Sequence, residues 1–280
     1  MKQFGRTSLL GTIAALFISV MAPVSAAKEN QPTLILNGKL TQGSLVRGQV
    51  PRGSQVSLNG EKLDVNPQGK FVMGFEREAS PEHTLKVITP DGTSQTRELS
   101  IRQRDYDIQR IDGIDQNMVS PPKAVLERIR NDSAKVARAR SGKRNYDAVF
   151  TRFMWPAQGP ITGVYGSQRI LNGEPKRPHY GVDVGGPVGT PVVAPNSGIV
   201  TLAEDLYYSG NTVILDHGMG VFSTFLHLDS VTVNVGDKLD KGEQLGTLGS
   251  TGRSTGPHLD WRINLGPMRL DPQLLVSDTE

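Results

Sequence analysis

Apolar and polar residues alternate in short runs along residues 32–102: Val56-Ser57-Leu58, Lys70-Phe71-Val72-Met73 and Thr84-Leu85-Lys86-Val87-Ile88. Successive side chains of a strand point to opposite faces, so a period of two marks half-buried strands. Turn signals separate the runs at Asn37-Gly38, Arg52-Gly53, Asn59-Gly60, Gln68-Gly69 and Asp91-Gly92. The pattern predicts a small β-sandwich-like domain over 32–102. Residues 103–147 change period. Ser120 before Pro121-Pro122 is a helix-start signal, and Val125, Ile129, Val136 and Ala139 recur near helical spacing between Lys123 and Ser141. A helical linker is expected there.

From Phe150 onward the strand pattern returns, in Val192-Val193, Gly198 to Leu202, Thr212 to Leu215, Ser230 to Val235 and His258 to Ile263. The expected fold is therefore all-β, with a compact antiparallel β-barrel or sandwich over 150–276. A faint repeat supports one unit: Val188-Gly189-Thr190-Pro191-Val192 resembles Val235-Gly236-Asp237-Lys238-Leu239, and each precedes a Gly-x-apolar strand. Similar segments occur in lipoyl and biotinyl carrier barrels. Those present a lysine at a hairpin tip, and no such hairpin is evident, so the repeat reads as architecture.

The N-terminus changes the compartment. Lys2 and Arg6 form a positive n-region, Leu9 to Val20 an apolar core too short for a comfortable membrane span, and Val24-Ser25-Ala26 a small-residue cleavage site. Residues 1–26 are expected to be a signal peptide, with an uncleaved anchor as the alternative. No later stretch is long and apolar enough to span a bilayer, so the expected mature protein is exported, periplasmic and not stably inserted in a membrane. The chain has no cysteine, which excludes disulfides, thiolate ligands, a cysteine nucleophile and a lipidated cysteine. Removing Lys2 and Arg6 lowers the formal charge of +3 by two, and global charge then implies no nucleic-acid partner. The linker is locally basic: Lys123, Arg128, Arg130, Lys135, Arg138, Arg140, Lys143 and Arg144 face only Glu127 and Asp132. Such a run reads as a solvated helix face; the functional alternative is a surface for anionic envelope material.

Four of the five histidines, His179, His217, His227 and His258, fall in the C-terminal β region. His258 and Asp260 are alternate residues of one strand and project together. They follow a glycine-rich run, Gly249 to Pro257. Upstream stands His179-Tyr180-Gly181-Val182-Asp183. A catalytic zinc takes about three protein ligands and keeps a position open for water. His179 and Asp183 offer a nitrogen and an oxygen ligand, with Gly181 allowing close backbone approach. Asp260 offers a third, which leaves His227 and His258 as acid–base groups. His217, in Asp216-His217-Gly218, reads as a local hydrogen-bonding residue, and His83 as a surface histidine near a turn. The glycine-rich run lacks the Gly-Lys-Ser/Thr ending of a P-loop and precedes a strand, so it reads as a loop positioning His258.

Five segments together carry a family resemblance: Arg177 to Asp183, Gly189 to Ala194, Asp216 to Gly220, Phe225 to Leu228 and Gly249 to Leu259. Residues from about Trp155 to Pro272 resemble the lysostaphin-type, or LytM-domain, peptidoglycan zinc metallo-endopeptidases. The resemblance implies a groove on a compact antiparallel β domain, one Zn2+ at His179 and Asp183, and acid–base work by His227 and His258. It implies peptidoglycan as substrate. The family's usual ending is His-x-His, whose last histidine is the third ligand; here that position is Asp260. Aspartate ligates zinc, but two carboxylates with one imidazole cancel the metal's +2 charge, so the site is expected to acidify its water less and to admit another divalent metal. The chain is read as an exported metal-dependent endopeptidase acting on peptide cross-links. The alternative is a catalytically inactive relative that binds peptidoglycan or activates a cell-wall amidase.

Overall fold

The computed structural model describes Met1 and residues 34–111 and 123–276. The expected signal peptide and the Ser120-Pro121-Pro122 helix start lie outside the described residues. The segments 34–111 and 123–276 belong to one compact unit.

Seven strands build the first layer pair: β1 (Ile35–Asn37), β2 (Leu45–Gln49), β3 (Gln55–Leu58), β4 (Glu61–Leu63), β5 (Lys70–Gly74), β6 (Glu82–Ile88) and β7 (Ser94–Ser100). They form two antiparallel sheets, β1-β2-β5 and β4-β3-β6-β7. The alternation seen in the sequence sets what faces inward. Val46, Val56, Phe71, Met73, Leu85, Val87 and Leu99 are buried together, which removes their apolar surface from water. Asn59 and Gly60 both take left-handed backbone angles in the β3–β4 hairpin, the geometry that Asn-Gly favours. His83 bonds Asn59 and the Ser80 carbonyl, as a surface residue near a turn would.

Next come β8 (Ile108–Ile111) and the helix α1 (Leu126–Ala139). Val136 and Ala139 of α1 pack on Leu202, Leu206, Ile214 and Phe222. The helix is also tied by charge. Arg128 pairs with Asp205 at 2.8 Å, Lys135 pairs with Glu204, and the Asp132 carboxylate accepts the Tyr207 N–H at 2.8 Å. Just beyond it, Lys143 pairs with Asp64 and Arg144 with Asp216. Much of the basic run therefore meets acids of the flanking β structure instead of facing solvent alone.

The remaining strands are β9 (Ile161–Gly163), β10 (Gln168–Leu171), β11 (Glu174–Pro175), β12 (Val182–Gly185), β13 (Pro191–Val193), β14 (Gly198–Leu206), β15 (Gly210–Asp216), β16 (Val221–Val231), β17 (Lys238–Leu239), β18 (Gln244–Leu248), β19 (His258–Leu265) and β20 (Met268–Leu270), before the short helix α2 (Gln273–Val276). Their main sheet runs β17-β14-β15-β16-β19-β12-β9, with β18 joining β13 to β16 and β20 pairing β19. A small separate sheet, β11-β10-β8, carries a parallel β8–β10 pair. The architecture is all-β and predominantly antiparallel, as the strand pattern predicts. Val182, Val184, Val213, Leu215, Phe225, Leu228, Leu259, Trp261 and Ile263 fill the core of the large sheet. The two β regions meet through apolar packing, with Leu45 and Val72 in the core of the large sheet, and through polar contacts: Arg104 pairs with Asp271 at 2.8 Å, and Arg47 Nε donates to the Val149 carbonyl at 2.5 Å.

Trp261 sits on β19, fully buried, with its ring edge-to-face on Trp155 at 5.9 Å. Replacing so large a core side chain leaves a cavity that neighbours fill only in part. Trp261→Ala is expected to cost about 3–5 kcal/mol of stability, read as a lower midpoint in urea unfolding.

Candidate metal centre and acid–base pair

Strand register assembles the site. β12 and β19 pair so that Asp183 lies opposite Asp260 and Gly185 opposite His258. β16 flanks β19 on its other side, with Leu226 opposite Asp260 and Thr224 opposite Arg262. His179 enters from the loop before β12, held by backbone bonds to Ser167 and Gly166. Ligand atoms of His179, Asp183 and Asp260 lie within 4.8 Å of one another.

His179 Nε2 and Asp183 Oδ1 are 3.2 Å apart. Both atoms are shielded from solvent, and neither has a hydrogen-bond partner of acceptable geometry. Two such buried polar atoms are costly unless something else satisfies them. Tetrahedral ligands at zinc distances of about 2.0–2.1 Å stand about 3.3 Å from one another, close to the observed spacing. Two glycines make the space. A Cβ on Gly181 would lie 2.3 Å from Asp260 Oδ1, and one on Gly163 would lie 2.2 Å from Asp183 Oδ2. These residues fit a divalent metal. Burial lowers the His179 pKa, and the adjacent Asp183 and Asp260 carboxylates outweigh it, so the net direction is upward. The imidazole sits in a field that favours a positive charge.

Arg262 is the residue that the sequence reading missed. Its guanidinium grips the Asp260 carboxylate from the same strand face, with Nε 3.0 and 3.1 Å from the two oxygens and Nη2 2.5 Å from Oδ2. Burial pushes the Asp260 carboxyl up, but the Arg262 charge and hydrogen bonds win and hold it below its ordinary value. Arg262 is raised in turn by Asp260 against the opposing effect of burial. The charge balance inferred from His179, Asp183 and Asp260 alone therefore changes. With neutral His179, the set including Arg262 carries one net negative charge instead of two. That equals two imidazoles with one carboxylate. The signal was present in the alternation: His258, Asp260, Arg262 and Asn264 all fall on one strand face.

His227 and His258 stand beside the cluster, their rings 4.9 Å apart. The glycine-rich loop orients both. His227 Nδ1 is 2.8 Å from the Thr251 carbonyl, and His258 Nδ1 is 2.8 Å from the Gly256 carbonyl. A carbonyl only accepts, so each Nδ1 carries a proton, and in the neutral ring Nε2 is the nitrogen left with a lone pair. His258 Nε2 lies 3.9 Å from Asp183 Oδ1. His227 has φ 63°, in the left-handed region that β-strand residues avoid, at the point where the β15–β16 register shifts. Its N–H donates to the Ser209 carbonyl at 2.8 Å. A bulge thus re-aims this ring. Burial lowers the His227 pKa below its ordinary value, which keeps the imidazole neutral and able to take a proton.

His217 stands apart from the cluster, fully buried in the core. Its Nδ1–H donates to the Ser197 carbonyl at 2.8 Å, so Nε2 accepts from Ser223 Oγ at 2.7 Å. It is a structural histidine.

Among known proteins, the description "Peptidase family M23" matches residues 177–272. The peptidoglycan DD-endopeptidase ShyA of Vibrio cholerae is 40% identical over 86 residues, which cover 31% of this chain and 20% of that protein. The DD-carboxypeptidase/endopeptidase Mpg of Neisseria gonorrhoeae is 38% identical over 149 residues, 53% of this chain and 33% of that protein. The chain thus matches one third or less of the length of these relatives. A crystal structure described as a putative peptidase M23 from Pseudomonas aeruginosa superposes with a TM-score of 0.66 at 26% identity, covering 85% of this chain and 95% of that one.

The buried neutral state of His217 has a pH signature. Burial pushes its pKa down to about 4. The unfolded chain takes up this proton first, near pH 6.5, so stability falls as pH drops from there toward 4 and the effect levels off below. The slope is about 1.4 kcal/mol per pH unit. Urea unfolding at pH 7 and pH 5 checks it: the wild type should lose more stability over that interval than His217→Asn.

Proposed function

Residues 177–272 are a peptidase family M23 domain, and from that we propose that the chain is a metal-dependent endopeptidase cutting peptide cross-links of peptidoglycan. The observation that carries the reading is the pair of buried, unpartnered atoms His179 Nε2 and Asp183 Oδ1 beside Asp260. We assign His179, Asp183 and Asp260 as metal ligands, with zinc as the metal, and His227 and His258 as the acid–base pair. The names of ShyA and Mpg support a cell-wall substrate. We also propose export to the periplasm, on the character of residues 1–26. Among the described residues no helix is long and apolar enough to cross a membrane.

When bound, the metal supplies Lewis acidity, polarising the scissile carbonyl and lowering the pKa of a water. The protein's own groups do the rest. His258 Nε2 lies 3.9 Å from Asp183 Oδ1 and the His227 ring stands beside the His258 ring; in this reading one of the two rings takes a proton from the attacking water. A protonated imidazole at the same place then steadies the developing oxyanion and delivers a proton to the leaving amine. The loop carbonyls of Thr251 and Gly256 keep both rings in the tautomer this requires. Arg262 holds Asp260 in place and offsets its charge.

The test is metal content of the purified chain together with peptide release from isolated cell wall, read by mass spectrometry. About one metal per chain is expected, with cleavage lost on chelation and restored by zinc. A chain that holds no metal and cleaves nothing would instead support the inactive relative that binds peptidoglycan or activates an amidase.

Variants separate the roles. His227→Ala and His258→Ala are each expected to lower turnover about a hundredfold or more while metal content and Tm hold. Loss of metal in either variant would overturn the division between ligands and acid–base groups.

Asp260 and Arg262 form a second test. Asp260→Ala should abolish metal binding. Asp260→His alone leaves the Arg262 guanidinium unpaired beside a dication, so it should bind metal no better than wild type. Adding Arg262→Gln should restore tight binding. Competition with a chelator reads all three affinities.

A further inference from the structure

A groove of about 700 Å³ lies between α1 and the large sheet. One helical face of α1, continued by its C-cap residue Arg140, forms a wall through Ile129, Asp132, Ser133, Val136 and Ala137. The lining also includes Asn264 of β19, Arg269 of β20 and Arg177. Asn264 continues the face that carries His258, Asp260 and Arg262. Along that strand Asn264 is four residues, or about 13 Å, from Asp260.

Its charge is one-sided. Arg140, Arg177 and Arg269 line it against a single acid, Asp132. That acid is already committed to the Tyr207 N–H and lies 3.9 Å from Arg128. Among the described residues none of the three arginines forms an ion pair. Arg269 instead stacks on the Tyr180 ring at 4.4 Å, next to His179. Arg140 donates from Nη2 to Thr224 Oγ1 at 2.5 Å, but its Nε is shielded from solvent and has no partner. Burial and the nearby Arg262 and Arg269 charges hold the Arg140 pKa down to about 10. It stays charged at neutral pH in a positive field. A buried, unpartnered guanidinium N–H is costly to leave unmet, and apolar walls such as Ile129, Val136 and Leu206 strengthen any charge interaction within.

We propose that this groove is a subsite for a free carboxylate on the peptide strand flanking the scissile bond. The groove's size suits a short peptide segment. Guanidinium groups recognise carboxylates with directed, charge-assisted bonds. The identification of the carboxylate as the substrate's own rests on the peptidase reading above. On this assignment α1 is part of the substrate site: its Arg140 reads the substrate's charge while Val136 and Ala139 hold the helix to the sheet.

The test uses the full chain carrying His258→Ala, which slows turnover about a hundredfold or more, and a synthetic peptidoglycan stem peptide with its carboxylates either free or amidated. Calorimetry should show the free-carboxylate peptide binding at least about tenfold more tightly, the scale of one charge-assisted hydrogen bond. The preference should shrink in Arg177→Gln and in Arg269→Gln and fall further in the double variant, which keeps Arg140, with Tm within a few degrees of the parent. The single variants keep the test decisive if the double variant does not fold. Equal binding of the two peptides overturns the proposal, as does a preference that is undiminished in both single variants. Binding of inorganic phosphate without binding of the peptide overturns it too. The two readings fail separately: a carboxylate preference without cleavage by the wild type retains the groove and removes the peptidase, and cleavage without the preference does the reverse.

Discussion

Asp183 and Asp260 face each other across the β12–β19 pair, and this opposition of two carboxylates is the constraint around which the site is arranged. Like charges directly across an antiparallel pair destabilise it. Asp260 is only 3% exposed, so water does little to relieve the repulsion. Something positive must be present. Arg262 neutralises Asp260 by a two-pronged grip, and His179 approaches Asp183 without satisfying it. The remaining demand for positive charge is what makes a dication chemically suited to the space. The order β16-β19-β12-β9 serves this arrangement, because β19 must sit between β12 and β16 for acids and histidines to converge.

The placing of His227 and His258, the proposed acid–base pair, depends on departures from regular strand geometry. A regular β16 would alternate its side chains without interruption. The register shift and the left-handed backbone at His227 turn its ring toward His258, at an energetic cost that such φ values carry. The glycine-rich loop then fixes both tautomers by offering carbonyls at Thr251 and Gly256. That loop shapes and orients the site.

The helix preceding the large sheet is held by both packing and charge. Val136 and Ala139 bury against four apolar residues, while Arg128 and Lys135 meet acids at the end of β14. Exposed pairs like these contribute little each, so the apolar contact sets where the helix lies and the charges set its register. With the helix in that place, Arg140 reaches Thr224 on the face that carries Arg262.

Much was determined by the sequence alone. Period-two alternation and Asn-Gly or other turn signals gave the all-β class and the approximate strands, because strand side chains alternate whatever their partners. The helix at residues 126–139 was visible from its spacing. The residues His179, Asp183, His227, His258 and Asp260 could be singled out, because chemistry demands those side-chain types and the shared face of His258 and Asp260 follows from their separation by two. Tertiary structure decided the rest. Asp183 and Asp260 are 77 positions apart, and only strand order places them opposite each other. Arg262 lay on the same face as Asp260 in the sequence, but its grip on that carboxylate depends on burial that no local pattern reports. The basic run around α1 looked like a solvated face because its partners, Glu204, Asp205, Asp64 and Asp216, are distant in the chain. Local periodicity specifies which way a side chain points along its own element; which charge it meets is set by the packing of elements from far along the chain.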